Sequence, residues 1–121
     1  MKVTYIELLG QKHPLCFSLG AAEALNEAFG SIDNLDKEIG SKDVGRIAKA
    51  TNTLLEILLK AGRIYAAAIG EELPAELPCR PADVIDVRDK SVLADAMAAI
   101  RGDTSREVET DSKNMEATQG L

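Results

Sequence analysis

The chain contains very few aromatic and histidine residues, and each shortage excludes a class of protein. Aromatic residues make up only 3% of the 121 residues and Trp is absent, so a core has to be built from Leu, Ile, Val and Ala. That composition favours helices over sheets. The single histidine, His13, has neither a nucleophile nor an orienting partner nearby in the sequence, as acid–base catalysis would require. We therefore expect His13 to be a solvated residue of a β-hairpin.

Cysteines and long apolar runs are also scarce. Cys16 and Cys79 lie far apart, without the CxxC spacing of metal or redox sites. We interpret them as two buried, reduced thiols of a cytosolic chain, and a disulfide would require the fold to bring them together. Glu56, Lys60 and Arg63 interrupt the longest apolar run, so no segment predicts a membrane span. These features predict a soluble, cytoplasmic protein.

The chain has fewer positively charged residues than negatively charged ones. The formal net charge of −6 argues against binding to nucleic acid or to an anionic membrane surface, because both need an excess of cations. One face of a predicted helix nevertheless carries a basic stripe that consists of Lys42, Arg46, Lys49, Lys60 and Arg63. Glu56 lies in the same stripe, four residues before Lys60, where an intrahelical pair is favourable. We interpret the stripe as a solvated face; the alternative is a contact for an acidic protein segment, such as the end of this chain.

Catalytic and metal-binding motifs are absent from the sequence. It contains no GxSxG, no glycine-rich phosphate loop and no zinc signature. Asp83, Asp86 and Asp89 recur at intervals of three and could bring carboxylates together, but acids are common in the first turn of a helix. Residues 33–36 lack the acid spacing of a calcium loop. The sequence therefore predicts no enzyme, no metal and no cofactor.

The N-terminal residues predict a β-hairpin. Two runs of β-prone residues, 3–9 and 12–19, flank the dipeptide Gly10-Gln11. Gly in the first position of a two-residue loop fits a type II′ turn, because Gly accepts the positive φ that this turn requires. A hairpin alone is marginally stable in water, so this one should lie on helices.

Apolar periodicity and capping residues predict about five helices after the hairpin. They cover residues 19–29, 32–39, 44–69, 82–87 and 90–101. The third has an apolar stripe too wide for one neighbour, so it should be central and packed on two sides. Gly62 lies on that stripe at a propensity cost of about 1 kcal/mol, which close approach by another element would explain. The predicted fold class is α+β and mostly helical, with one compact domain over residues 1–102.

Residues 103–121 have a different composition. Five acidic and two basic residues surround three larger apolar ones, Val108, Met115 and Leu121. Such a segment buries too little surface to offset its chain entropy, which predicts a flexible acidic tail. The three apolar residues are candidate partner-binding residues, since they could fold onto a partner helix.

The run from Tyr5 to Ala21, YIELLGQKHPLCFSLGA, resembles the opening of the tail assembly chaperones of long-tailed siphophages and related prophages. Those proteins often begin with an I-x-L-x-G-K-x-Y-P-L-x-F-x-x-G hairpin, followed by a helix that ends in Phe-Gly. Phe29-Gly30, the long central helix and the polar tail fit the same order. Gln11 and His13 replace the more usual residues without altering the spacing.

The resemblance implies a non-catalytic chaperone in the host cytoplasm. Such proteins coat the helical tape measure protein before tail tube subunits polymerise around it. A frameshifted longer form often recruits the tail tube protein, and self-association along the client is implied. The alternative from the residues alone is a small regulatory or adaptor protein of a mobile element that binds another protein or DNA.

Overall fold

The computed structural model describes residues 3–102, in which a two-stranded antiparallel hairpin packs on four α-helices. The strands are β1 (Thr4–Leu8) and β2 (Gln11–Leu15). The helices are α1 (Leu19–Phe29), α2 (Ile32–Ile39), α3 (Val44–Ala68) and α4 (Ser91–Arg101). This arrangement confirms the predicted fold class, with four α-helices in place of about five.

The hairpin turn lies one residue earlier than predicted. Leu8 pairs with Gln11, so the two loop residues are Leu9 and Gly10, with φ of 52° and 77°. Positive φ at both positions is the signature of a type I′ turn, whose twist matches that of the flanking strands. The prediction of a type II′ turn at Gly10-Gln11 was therefore wrong. Leu9 occupies a left-handed conformation that residues other than Gly, Asn and Asp rarely adopt.

Side-chain caps fix the starts of α1 and α2, and both helices begin at the predicted residues, Leu19 and Ile32. The Ser18 hydroxyl accepts a hydrogen bond from Ala21 N at 3.1 Å, and the Ser31 hydroxyl accepts one from Asn34 N at 3.0 Å. Each bond satisfies a backbone donor that has no partner inside the helix. Gly30 ends α1 with a φ of 85°, a conformation that favours glycine.

Helix α3 is central, as predicted. Its N-cap is Asp43, whose carboxylate accepts from Gly45 N and Arg46 N. Strand β2, α1, α2 and α4 all pack against it, and Leu54, Leu55 and Leu58 are completely buried among them. The helix ends at Ala68, one residue before the predicted end.

Strand β2 crosses α3 at Gly62. Cys16 N donates to Leu58 O at 3.2 Å, which joins the end of the strand to the helix backbone. A Cβ placed on Gly62 would overlap the Pro14 carbonyl oxygen and would lie 2.5 Å from Pro14 C and 3.0 Å from Leu15 N. The predicted close approach at Gly62 is therefore confirmed, and β2 is the element that makes it.

The helix predicted over residues 82–87 was wrong. A single 3₁₀ turn, Pro81–Val84, takes its place, and Ile85 is extended. The Asn52 side chain accepts a hydrogen bond from Ala82 N at 2.9 Å, and the Asp86 carboxylate accepts one from Arg88 N at 2.8 Å. One of these bonds comes from a distant residue and the other is local, and both occupy backbone donors outside a helical pattern, so the segment turns instead of continuing as a helix.

The described residues share one apolar core made mainly of Leu, Ile and Ala, with the two Phe residues partly buried at its margin. None of the helices within residues 3–102 is both long and apolar enough to cross a bilayer. The predicted acidic tail, 103–121, lies outside the described residues.

Candidate functional site

Two surface cavities flank the C-terminal half of α3. The first, which we name the α1–α3 groove, runs between α1 and α3. The second, which we name the His13 pocket, lies between β2, α3 and the segment that precedes the 3₁₀ turn. Glu56, Lys60 and Ile64 line both cavities, so these three residues form a ridge of α3 that separates them.

The α1–α3 groove is apolar and has a floor of small side chains. Its volume is about 620 Å³. Residues without long side chains supply much of its lining, namely Gly20, Ala21 and Ala24 from α1 and Ala61 and Ala68 from α3. Because these residues leave room between the two helices, the groove stays open at the surface.

One large apolar side chain stands exposed at the groove. Ile64 on the α3 ridge is 61% exposed and lines the groove. An exposed apolar residue is common by itself, but one that borders an apolar groove is typical of an interaction surface. The sequence pattern does not reveal this surface, because many of its residues are small and the pattern does not show which helices are neighbours.

The His13 pocket has a buried imidazole in its lining. His13 is only 3% exposed, so the prediction of a solvated residue was wrong. His13 pairs with Ile6 across the hairpin and faces the same side of the sheet, while α3 covers the end of β2. The sequence pattern could not reveal this burial, because only the crossing of β2 over α3 covers both faces of the strand.

Burial disfavours the charged form of the imidazole. Loss of solvation lowers the pKa of His13 below its ordinary value, and the nearby Arg63 guanidinium lowers this pKa further. The unfolded chain therefore binds a proton at a higher pH than the folded one does. The stability that depends on neutral His13 is complete above the unfolded pKa, near 6.5, and decreases as the pH falls through that value.

Among the residues that the structure describes, only the two arginines of the basic stripe form side-chain ion pairs or hydrogen bonds with the rest of the fold. The Arg46 guanidinium donates to both carboxylate oxygens of Glu38, at 2.7 and 3.1 Å, and so links α3 to α2. Arg63 donates to Pro74 O at 2.8 Å and lies 3.9 Å from Glu76. The other members, Lys42, Lys49 and Lys60, are exposed. The basic stripe therefore consists of two arginines that make structural contacts and three solvated lysines.

The three aspartates at intervals of three do not converge. Asp83 pairs with Arg80 and Asp86 with Arg88, while Asp89 accepts hydrogen bonds from Ser91. The Arg80 guanidinium holds the pKa of Asp83 below its ordinary value, and Arg88 does the same for Asp86. Within residues 3–102, no group of three His, Cys, Asp or Glu residues is arranged to hold a metal ion.

The cysteines differ in environment. Cys16 is buried, and its burial raises the pKa of its thiol, whereas Cys79 is exposed. They do not form a disulfide. The expectation of two buried thiols was correct for Cys16 and wrong for Cys79, which lines the His13 pocket.

The candidate partner-binding residues Val108, Met115 and Leu121 lie outside the described residues. Asn52 was not among the predicted residues; it is only 8% exposed and anchors the 3₁₀ turn to α3. A polar residue between apolar positions of a predicted central helix was the available signal for it.

Comparison of the chain with family models, with curated proteins and with solved structures finds no match. The function therefore has to be argued from the chain's own residues and geometry.

Proposed function

We propose that this protein is a non-catalytic tail assembly chaperone that binds helical segments of a tape measure protein and keeps them soluble before the tail tube polymerises. The α1–α3 groove carries this proposal, because it offers an open, mainly apolar surface of about 620 Å³ between two helices. The resemblance of the N-terminal hairpin to such chaperones supplies the identity of the client.

A groove between two helices is a common site for an amphipathic helix, which inserts apolar residues spaced three and four apart. The small side chains Gly20, Ala24 and Ala68 would let a third helix approach the floor closely. Exposed Ile64 would then pack against the side of the client helix. Removal of this apolar surface from water would stabilise the complex by about 25 cal/mol per Å² before the costs of association.

The charges at the groove favour a client recognised by its apolar face. Glu56 and Lys60 both line the groove and carry opposite charges, so neither sign of client is strongly attracted or repelled. A chaperone of a long helical protein has to accept many different helical segments, and a mainly apolar groove suits that task.

The burial of His13 and its lowered pKa support the part of this proposal that assigns no catalytic activity to the protein. A general base has to reach a reacting group and take up its proton. His13 is buried, its pKa is lowered, and none of the residues that the structure describes places a hydroxyl or thiol nucleophile in hydrogen bond to its imidazole.

In this function the protein would act in the bacterial cytoplasm, and several copies would line one tape measure protein. A longer frameshifted form would recruit the tail tube protein. These features follow from the resemblance and belong to the same proposal.

The test is co-expression with the tape measure protein encoded beside this chain. Ala68 and Ala67 are adjacent exposed residues of α3, and only Ala68 lines the groove. We expect the wild-type protein and Ala67→Arg to hold the tape measure protein in the soluble fraction, and Ala68→Arg to lose most of this effect. Both substitutions place a cation in the last turn of α3, so helix stability should change equally.

Circular dichroism of both variants provides the control for folding. The proposal is wrong if the wild-type protein leaves the client as insoluble as it is alone. If the two variants protect the client equally, the groove is not the binding surface.

A further inference from the structure

The apolar lining of the His13 pocket suits the binding of a flat apolar group. Its volume is about 460 Å³, and its apolar lining consists of Leu59 and Ile64 from α3 together with Leu77 and Pro81 from the following segment. Ligand pockets in proteins typically have volumes of about 300–1,000 Å³ and a few polar groups among apolar walls. This pocket meets both criteria.

One polar group in the pocket wall, the His13 imidazole, has unused hydrogen-bonding capacity. His13 is 3% exposed, and its ring forms no hydrogen bond to any of residues 3–102. Buried polar side chains in proteins almost always have a partner. A neutral imidazole has one donor and one acceptor, so it complements a group that can both accept and donate.

The charges in the pocket distinguish between candidate ligands. Lys60 and Arg63 line it, but so do Glu56 and Glu76, which would oppose an additional carboxylate. A purely aliphatic ligand would leave the His13 ring without a partner. A phenol avoids both difficulties, because its hydroxyl can bond to the imidazole while its ring packs on the apolar walls. The nearby cations can also interact with the face of an aromatic ring.

We propose that the His13 pocket is a second binding site, separate from the α1–α3 groove, and that it takes the phenol side chain of a tyrosine on a partner protein. The inference goes beyond the proposed function and does not depend on it. The chain would then hold a partner through one apolar groove and one aromatic anchor on opposite sides of the α3 ridge.

Nuclear magnetic resonance of the full chain tests this site directly. His13 is the only histidine, so its imidazole gives a single set of side-chain resonances. The probes are N-acetyltyrosine amide and N-acetylphenylalanine amide, which differ only in the hydroxyl group. We expect the tyrosine probe to shift the imidazole resonances in a saturable manner, and the phenylalanine probe to bind about fivefold more weakly because one hydrogen bond is lost.

A matched pair of variants locates the probe. Leu77 and Leu73 are half-buried leucines of the same segment, and only Leu77 lines the pocket. Leu77→Gln should weaken binding of the tyrosine probe, whereas Leu73→Gln should leave it unchanged.

Three results would overturn the inference. One is the absence of a saturable shift up to the solubility limit of the tyrosine probe. The second is equal binding of the two probes, which would exclude a role for the hydroxyl group. The third is a larger shift with acetate, which would make the pocket a carboxylate site. None of these results depends on the tape measure protein.

Discussion

The substitution Gly62→Ala tests how the hairpin is held on α3. Gly62 lies where β2 crosses the helix, and an added Cβ would overlap the Pro14 carbonyl group. The opposing atoms belong to the β2 backbone and cannot rotate away as a side chain could. Relief therefore requires β2 to move away from α3, which would open the packing around Leu58 and His13.

Two opposite effects determine the size of the change. Alanine is a better helix former than glycine by about 1 kcal/mol. Overpacking costs about 1–3 kcal/mol even where side chains can adjust, and a clash of the new Cβ with backbone atoms should reach the upper end of that range. We therefore expect a net loss of about 2 kcal/mol in the free energy of unfolding. For a domain of this size, that loss corresponds to a decrease in Tm of about 8–16 °C.

Urea denaturation followed by circular dichroism measures this loss, and Gly20→Ala is the matched control. Gly20 is also helical, but a Cβ there would meet only the Ser18 hydroxyl oxygen at an ordinary 3.8 Å. Gly20→Ala should raise stability by about 0.5–1 kcal/mol. If Gly62→Ala were also stabilising, the close crossing of β2 over α3 would be incorrect.

Three further predictions concern the turn, the buried histidine and the 3₁₀ turn. Leu9→Asn should raise the free energy of unfolding by about 1 kcal/mol, because Asn accepts the positive φ of a type I′ turn at lower cost than Leu. The wild-type protein should lose stability relative to His13→Gln as the pH falls from 7 to 5.5, because unfolding allows the imidazole to bind a proton. Arg63 opposes this protonation in the folded state, and Lys60, Glu56 and Glu76 also face the pocket. Asn52→Ala should cost about 1–2 kcal/mol, because it removes the acceptor of Ala82 N.

Each of these predictions has its own control in the same denaturation assay. Leu9→Gln adds polarity without the preference for positive φ, so an equal gain from both variants would contradict the turn argument. Parallel pH profiles for wild type and His13→Gln would mean that the imidazole is not buried in its neutral form. Thr53→Ala, one residue from Asn52 on α3, should have a smaller effect than Asn52→Ala, and a loss of the same size would contradict the anchoring role.

Local signals predicted most of the secondary structure. Ser18 caps α1 as predicted, because its hydroxyl reaches a backbone donor only three residues away; Ser31, which was not predicted as a cap, does the same for α2. Gly30 ends α1 because glycine accepts positive φ. The turn was misplaced by one residue, since Gly10 can occupy either position of a two-residue loop and the pairing of Leu8 with Gln11 selects one of them.

The candidate sites could not be predicted in the same way. The α1–α3 groove depends on which helix lies beside α3, and the His13 pocket depends on where β2 crosses it. Burial of His13 and exposure of Cys79 also follow from these placements. The segment after Pro81 was predicted as a helix because its composition allows one, but Asn52 binds its backbone from 30 residues away.

The sequence by itself determined the order of the hairpin and helices, the central position of α3 and the need for a close contact at Gly62. These features depend on interactions between residues a few positions apart, on apolar periodicity and on the cost of a glycine in a helix. Only the tertiary structure decided which element approaches Gly62, which small side chains form a groove and how a histidine becomes buried. Those outcomes depend on contacts between distant parts of the chain, and local patterns carry no information about them.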